Sequence, residues 1–192
     1  MKKAIALIFA AAVSFSHAVT ISVTGTSVFL SDGVSLVPQG SYISVGYFDG
    51  AFTGFAGLSD RSWSDVIAAD YTEAVSGAIN PDGALAGGGT VTGIAGETLY
   101  MWVFNVIGAP TGNINAQDYG LFTGSSAVWT AKGDVPFPPE FSNINIADVD
   151  NSILGQNGGG NLTLASAVPE PSSFALLAGC FGLAWVMVRR RS

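Results

Sequence analysis

The chain has 192 residues, a formal net charge of −7, one histidine, His17, and one cysteine, Cys180. Both lie in apolar terminal segments, so residues 19–168 contain neither; there, thirteen acidic residues stand against Arg61 and Lys132, a formal charge of −11. This composition excludes Ser-His-Asp and Cys-His catalysis, disulfides and the usual zinc or copper ligands in that segment. Two cations also cannot build a face that binds nucleic acid.

The N-terminus has the pattern of a secretory signal peptide. Lys2 and Lys3 precede an apolar stretch over residues 4–13, and the small residues Ser16 and Ala18 occupy the −3 and −1 positions of a signal-peptidase site. We therefore expect the Sec export machinery to translocate the chain and signal peptidase to cleave it after Ala18.

The segment that follows predicts an all-β domain. Its first residues alternate apolar and polar side chains, and glycines separate further short runs rich in valine, threonine and aromatic residues. Eight strands are predicted, at residues 19–24, 34–37, 42–48, 90–94, 99–107, 119–123, 127–130 and 161–165. Short strands of this number are typical of a β-sandwich of two packed sheets, of the jelly-roll or immunoglobulin-like kind, and we assign residues 19–165 to it.

One segment departs from the strand pattern and predicts a helix over residues 63–76. Its apolar residues recur at helical spacing, Ser62 and Asp65 form a capping box, and Gly77 can close the C-terminus. We expect this helix to pack on an edge or end of the sandwich.

The aromatic residues allow two interpretations. Tyr100, Trp102 and Phe104 share one face of a predicted strand, which is typical of a core, although such a stripe can also stack on sugar rings. A carbohydrate-binding module would expose two or three aromatic side chains in one plane. The candidates for such a platform are Trp63, Tyr119 and Trp129.

A loop near the end of the domain supplies candidate calcium ligands. Asn143, Asn145, Asp148 and Asp150 provide the oxygen atoms that calcium prefers. The spacing is not that of an EF-hand, because Ile153 stands at the sixth position from Asp148, where that loop requires glycine. Asp148 and Asp150 are the candidate metal ligands, the alternative is a turn-rich linker without metal, and no other cofactor is expected.

The last segment, residues 166–192, predicts a membrane anchor. An apolar run without charge over residues 174–188 would form about 22 Å of helix, against about 30 Å of hydrocarbon core, and two preceding serines extend the predicted helix to 172–188. The basic cluster of Arg189, Arg190 and Arg191 should remain cytoplasmic by the positive-inside rule. The β domain is then expected on the other side of the membrane.

The motif Val168-Pro169-Glu170-Pro171 precedes this helix. Both prolines lack a backbone N–H and favour extended geometry, so the motif should be an exposed strip that a protease-like enzyme can grip. The Pro-Glu-Pro tripeptide, the helix and the basic cluster, in this order, resemble the PEP-CTERM sorting signal, which exopolysaccharide-secreting bacteria use to hand exported proteins to an exosortase. The resemblance covers only this tail. It implies a precursor in the inner membrane, an exosortase as partner, and a final place at the cell surface or outside the cell.

Three classes of function remain open for the domain. The first follows from the tail resemblance and the missing histidine and cysteine: a non-catalytic structural or adhesive protein in an exopolysaccharide or biofilm layer. The second is a carbohydrate-binding module. The third is an enzyme that modifies polysaccharides with two carboxylates about 5 to 9.5 Å apart in a groove, for which the sequence names no pair. Exopolysaccharide is an expected partner and nucleic acid is not.

Overall fold

A computed structural model of the chain describes residues 19–25, 27–50, 52–80, 85–133, 140–158 and 161–167. The signal-peptidase site, the sorting motif, the membrane helix and the basic cluster are all predicted for residues outside the described ranges. Within the described ranges, none of the helices has the length and apolar character needed to span a membrane.

The described residues form eleven β-strands, one α-helix and four short 3-10 helices. The strands are β1 (Val19–Thr24), β2 (Val28–Phe29), β3 (Ser41–Phe48), β4 (Tyr71–Ile79), β5 (Leu85–Val91), β6 (Tyr100–Ile107), β7 (Tyr119–Thr123), β8 (Glu140–Asn145), β9 (Asn151–Leu154), β10 (Gln156–Gly158) and β11 (Asn161–Thr163). The helix α1 spans Trp63–Ala69, and the 3-10 helices span Leu58–Asp60, Ile114–Ala116, Ala127–Trp129 and Ile146–Asp148. The prediction of an all-β chain with one short helix is confirmed.

Two sheets contain these strands. The larger has the order β8-β1-β5-β4-β3-β6-β7-β9, and its neighbours are antiparallel except for the parallel pair β1 and β8. The smaller has the order β10-β11-β2. Both contribute to one apolar cluster, in which Val28 and Leu162 of the small sheet lie with Ile21, Val45 and Phe122 of the large sheet. The small sheet therefore helps to cover one face of the large sheet.

Strand β6 is buried on both faces. Met101 and Val103 belong to the cluster shared by the two sheets, whereas Trp102 and Phe104 belong to a second cluster on the opposite face. Helix α1 covers this second face, because Trp63 at its start packs edge-on against Trp102 and Phe104 with ring centroids 5.7 and 5.0 Å apart. The prediction that the helix packs on an edge or end is thus wrong; it lies over the central strands.

Most predicted strands with a regular pattern are found. Those at 19–24 and 119–123 have the predicted bounds, and those at 42–48 and 99–107 differ by one residue at their starts. The strand predicted at 90–94 lies earlier, at β5, and that at 161–165 is shorter, at β11. Strands β2, β4, β8, β9 and β10 were not predicted.

Two predicted strands are wrong. Residues 34–37 form a bent loop, in which the Asp32 carboxylate accepts the backbone N–H groups of Val34 and Ser35 at 2.9 and 2.8 Å. The Ser35 hydroxyl and these N–H groups lower the pKa of Asp32 below its ordinary value. Residues 127–130 begin with a 3-10 helix whose tryptophan is fully buried. Each segment meets its neighbour through an isolated bridge, Leu36 with Phe29 and Thr130 with Thr98, and does not extend into a strand.

The helix predicted over residues 63–76 is wrong in its second half. It begins at Trp63 as predicted, with the Ser62 hydroxyl accepting the backbone N–H of Asp65 at 3.2 Å, but it ends at Ala69. The residues that follow form β4, because pairing with β3 and β5 outweighs their helical propensity.

A β-bulge in β4 explains the helix-like pattern. Val45 of β3 pairs with Val75, but the next residue, Gly46, pairs with Glu73, so one residue of β4 has no partner. Tyr71 and Val75 therefore enter different clusters on opposite faces, whereas four residues apart on a regular strand they would share a face.

Gly46 leaves no room for a side chain beside this bulge. A Cβ at this position would lie 2.0 Å from the carbonyl oxygen of Thr72, a backbone atom of the paired strand. We expect Gly46→Ala to lower the free energy of unfolding by about 2 kcal/mol, because the strands must shift apart to admit the methyl group. Urea unfolding of the full chain, followed by tryptophan fluorescence, measures this loss. Gly112→Ala is the control, since nothing lies within 4 Å of a Cβ there; equal losses would contradict the argument.

The Ser62 hydroxyl satisfies a backbone N–H in the first turn of α1. We expect Ser62→Ala to lower the free energy of unfolding by about 1 kcal/mol, because that N–H loses its partner. The matched control is Ser126→Ala, since Ser126 precedes a 3-10 helix without making a side-chain capping bond. The same urea titration compares the two variants, and a control as destabilised as Ser62→Ala would refute the capping role.

Candidate functional site

The aromatic residues considered for an exposed platform are buried. Trp63, Tyr119 and Trp129 expose only 2%, 6% and 0% of their surface. The indole N–H of Trp129 also donates to the carbonyl oxygen of Asp148 at 3.1 Å, which holds this ring in the core. These three side chains therefore form no surface on which a sugar ring could stack.

The aromatic stripe of β6 is divided between core and surface. Trp102 and Phe104 are fully buried and stack with ring centroids 5.3 Å apart, which confirms the core interpretation for these two residues. Tyr100, at the start of the strand, is half-buried and lines a pocket. Burial raises the pKa of Tyr100, so its hydroxyl is neutral at neutral pH.

Three of the candidate calcium ligands, Asn143, Asn145 and Asp150, accept hydrogen bonds from other residues of the domain. Asn143 accepts from the Ser22 hydroxyl, and the Asp150 carboxylate accepts from the hydroxyl and, at 2.8 Å, the backbone N–H of Ser125. Asp148 is exposed. In the part of the chain that the structure describes, no three acidic, histidine or cysteine side chains are grouped so that they could hold a metal ion. The observed role of Asp150 is thus to join two loops.

A pocket lies where the end of β3 meets the start of β6. It has a volume of about 120 Å³ and is lined by Phe48, Asp49, Gly50, Phe52, Glu97, Thr98 and Tyr100. A wider depression of about 380 Å³ is lined by Asp49, Phe52, Thr53, Gly54 and Asp70. Because Asp49 and Phe52 line both, the two spaces adjoin, and together we call them the acidic-aromatic groove.

Strand pairing brings the residues of this groove together. Strands β3 and β6 are antiparallel neighbours, so the residues that follow Phe48 lie beside those that precede Tyr100. The backbone N–H of Asp49 donates to the carbonyl oxygen of Asp70 at 3.2 Å. The backbone N–H of Glu97 donates to the carbonyl oxygen of Ile94, and the Glu97 carbonyl oxygen accepts from the N–H of Ala131. Two carboxylates from distant parts of the chain therefore line one pocket on fixed backbone.

Aromatic rings form the apolar wall of the groove. Phe48 and Phe52 stack with centroids 4.6 Å apart, and Phe55 packs edge-on against Phe52 at 5.0 Å. Tyr100 meets Phe48 edge-on, also at 5.0 Å. Phe52 and Tyr100, which line the smaller pocket, are half-buried, so this wall reaches the surface of the domain.

The negative charges of the groove are unevenly compensated. Asp70 forms an ion pair with Arg61. The carboxylates of Asp49 and Glu97, in contrast, have no hydrogen-bond or ionic partner among the described residues. The smaller pocket therefore presents two uncompensated acidic groups beside aromatic rings.

The sequence patterns did not reveal this groove. Its acidic residues are separated by one α-helix and two strands, and only the pairing of β3 with β6 joins them. One signal was present: Phe52 and Phe55 stand in a glycine-containing loop, where large apolar side chains have no strand face to bury them. Such residues indicate a separate cluster, but not its acidic neighbours.

Comparison of the chain with protein-family models, curated proteins and solved structures found no match. The chemistry of the groove therefore has to be argued from its own residues.

Asp150 stabilises the folded chain in a pH-dependent way. The hydrogen bonds from Ser125 lower the pKa of Asp150 below its ordinary value of 3.8, so folding favours its charged form. This contribution to stability is fully present above the pKa that Asp150 has in the unfolded chain. It is lost as the pH falls through the lower pKa that Asp150 has in the folded chain. We expect Asp150→Asn to lower the melting temperature at pH 7, and this difference to shrink below about pH 4.

Thermal unfolding of the full chain at several pH values between 7 and 2.5 measures this difference. Asp148→Asn is the control for net charge, because this exposed carboxylate makes no hydrogen bond with the described residues. A difference for Asp150→Asn that stayed constant down to the lowest pH would contradict the assignment.

Proposed function

We propose that this chain is an exported bacterial protein that is handed to an exosortase and reaches the cell surface or the extracellular matrix. The order of its segments supports this proposal: a signal-peptide pattern that ends at Ala18, the β domain, the Pro169-Glu170-Pro171 motif, an apolar run and a basic cluster. The backbone N–H of Ala167 donates to the Asp118 carboxylate at 2.9 Å. Ala167 is the last residue that the structure describes, and the Pro-Glu-Pro motif begins two residues after it, where a sorting enzyme would separate domain from anchor.

The proposed role of the domain is structural or adhesive, within an exopolysaccharide or biofilm layer, and it is not catalytic. One observation carries this proposal: residues 19–168 combine a formal charge of −11 with the absence of histidine and cysteine. Such a segment lacks the imidazole base and the thiol that Ser-His-Asp and Cys-His hydrolases use, and its charge favours solubility in an external layer.

We further propose that the two sheets form a β-sandwich of the jelly-roll or immunoglobulin-like kind. The shared apolar cluster and the mostly antiparallel pairing support this arrangement. Many domains at cell surfaces have sandwich architectures, which agrees with the proposed location.

A carboxylate-dependent enzyme that acts on polysaccharides is a second candidate, because Asp49 and Glu97 line the same pocket. Paired carboxylates across a cleft perform glycoside hydrolysis. Release of reducing ends from exopolysaccharide, lost in both Asp49→Asn and Glu97→Gln, would favour this candidate. A carbohydrate-binding module has less support, since the three aromatic residues considered for it are buried.

The sorting signal can be tested in a host that contains an exosortase. Replacing Pro169, Glu170 and Pro171 with alanine should leave the precursor in the inner membrane, because the enzyme loses the strip that it recognises. Immunoblots of the inner membrane and of the external fraction measure the distribution. The matched control replaces Ser172 and Ser173 with alanine and should be exported normally. The proposed route would be refuted if the variant with alanines at 169–171 reached the external fraction in the same amount as the unchanged chain.

A further inference from the structure

The smaller pocket of the acidic-aromatic groove has a chemistry that the proposed role does not use. It combines the uncompensated carboxylates of Asp49 and Glu97 with the rings of Phe52 and Tyr100. We propose that this pocket binds a protonated primary amine, carried by an amino sugar or by an aliphatic diamine. This binding is a property of the folded domain and does not depend on the export route.

An ammonium group matches the polar part of the pocket. It has one positive charge and three hydrogen-bond donors. The carboxylates of Asp49 and Glu97 provide the opposite charge and accepting oxygens, and the Thr98 hydroxyl lines the same space. Because these carboxylates have no partner among the described residues, a cation can bind without first breaking an ion pair.

The aromatic part of the pocket also favours a cation. The face of an aromatic ring carries partial negative charge and attracts ammonium groups within about 6 Å. Phe52 is held by stacking on Phe48 and by edge-on contact with Phe55, so its position is set before a ligand arrives. Burial raises the pKa of Tyr100, which keeps its hydroxyl able to donate as well as accept.

Two other ligand classes fit less well. Calcium takes about six to eight oxygen ligands, whereas this pocket offers two acidic side chains and an aromatic wall. A neutral sugar could stack on a ring, but it would leave both carboxylates without an opposite charge. A cationic group is the ligand that uses both the acidic and the aromatic residues.

The dimensions of the groove indicate how the ligand would lie. The pocket of about 120 Å³ admits the ammonium group with the first carbon atoms of its carrier, since one water molecule takes about 30 Å³ of liquid. The adjoining depression of about 380 Å³ has room for the rest of the carrier. Asp70 there is already paired with Arg61, so charge recognition belongs to the smaller pocket.

Isothermal titration calorimetry of the full chain in nonionic detergent, at pH 6 and low salt, tests the proposal. The probes are a fully deacetylated glucosamine tetramer, its N-acetylated counterpart and 1,5-diaminopentane. We expect saturable binding of a free amine, and acetylation should weaken binding of the tetramer at least about tenfold, because it removes the charge. If the deacetylated tetramer binds and the diamine does not, the amine is recognised as part of an amino sugar. If the diamine also binds, the amine group alone is sufficient for recognition. Binding of neither free amine overturns the proposal.

Substitutions locate the binding in the pocket. Glu97→Gln should weaken binding about threefold to fivefold, and its combination with Asp49→Asn about tenfold. Phe52→Leu, which keeps both charges, should weaken it about threefold through the lost ring. Asp65→Asn removes one exposed carboxylate from α1 and is the control, with affinity expected within about twofold of the unchanged chain. Circular dichroism checks that each variant is folded.

Three results of these titrations would overturn the proposal. If Glu97→Gln and Asp65→Asn weakened amine binding equally, the amine would be attracted by the overall charge of −11 on the domain and not by the pocket. Unchanged affinity in the double variant would place the amine elsewhere. Saturable calcium binding that the double variant abolishes, without any binding of amine, would assign the pocket to a metal.

Discussion

Strand β6 has to be covered on two sides at once, and the rest of the fold meets this requirement. Met101 and Val103 face the cluster that the two sheets share, while Trp102 and Phe104 need cover on the opposite face. Helix α1 supplies it through Trp63. A domain without disulfides thus gains its stability from two apolar clusters, one on each side of the same strand.

The bulge opposite Gly46 allows β4 to contribute to both clusters and connects them to the groove. Past this point Tyr71 lies on the helix side, where its hydroxyl is within 3.1 Å of the Ser44 hydroxyl and donates to the carbonyl oxygen of Tyr100 at 3.4 Å. Phe48 packs against the rings of both tyrosines. The aromatic wall of the groove is therefore an extension of the core, and a wall of this kind is held in place before any ligand binds.

Sequence patterns predicted the features that neighbouring residues decide. The alternation over 19–24 predicts β1, and the start of α1 follows from a cap that involves only Ser62 and the first turn. The end of that helix was predicted wrongly, because the bulge that separates Tyr71 from Val75 depends on pairing with a strand far away in the sequence. The groove was missed for the same reason. No local pattern relates Asp49 to Glu97 until β3 and β6 lie side by side.

The position of β1 between β5 and β8 sets a condition on assembly. This strand is the first part of the domain to leave the ribosome, yet the side-chain partners of Thr20 and Ser22 stand 70 and 121 residues further along the chain. Long-range pairing of this kind is slow, because the intervening loop must close before contacts compensate for the lost entropy. Until β8 emerges, the backbone N–H and C=O groups along one edge of β1 have no strand to pair with. The large sheet can therefore be completed only after residue 145 has been synthesised, and until then β1 presents an open strand edge with which other chains can pair.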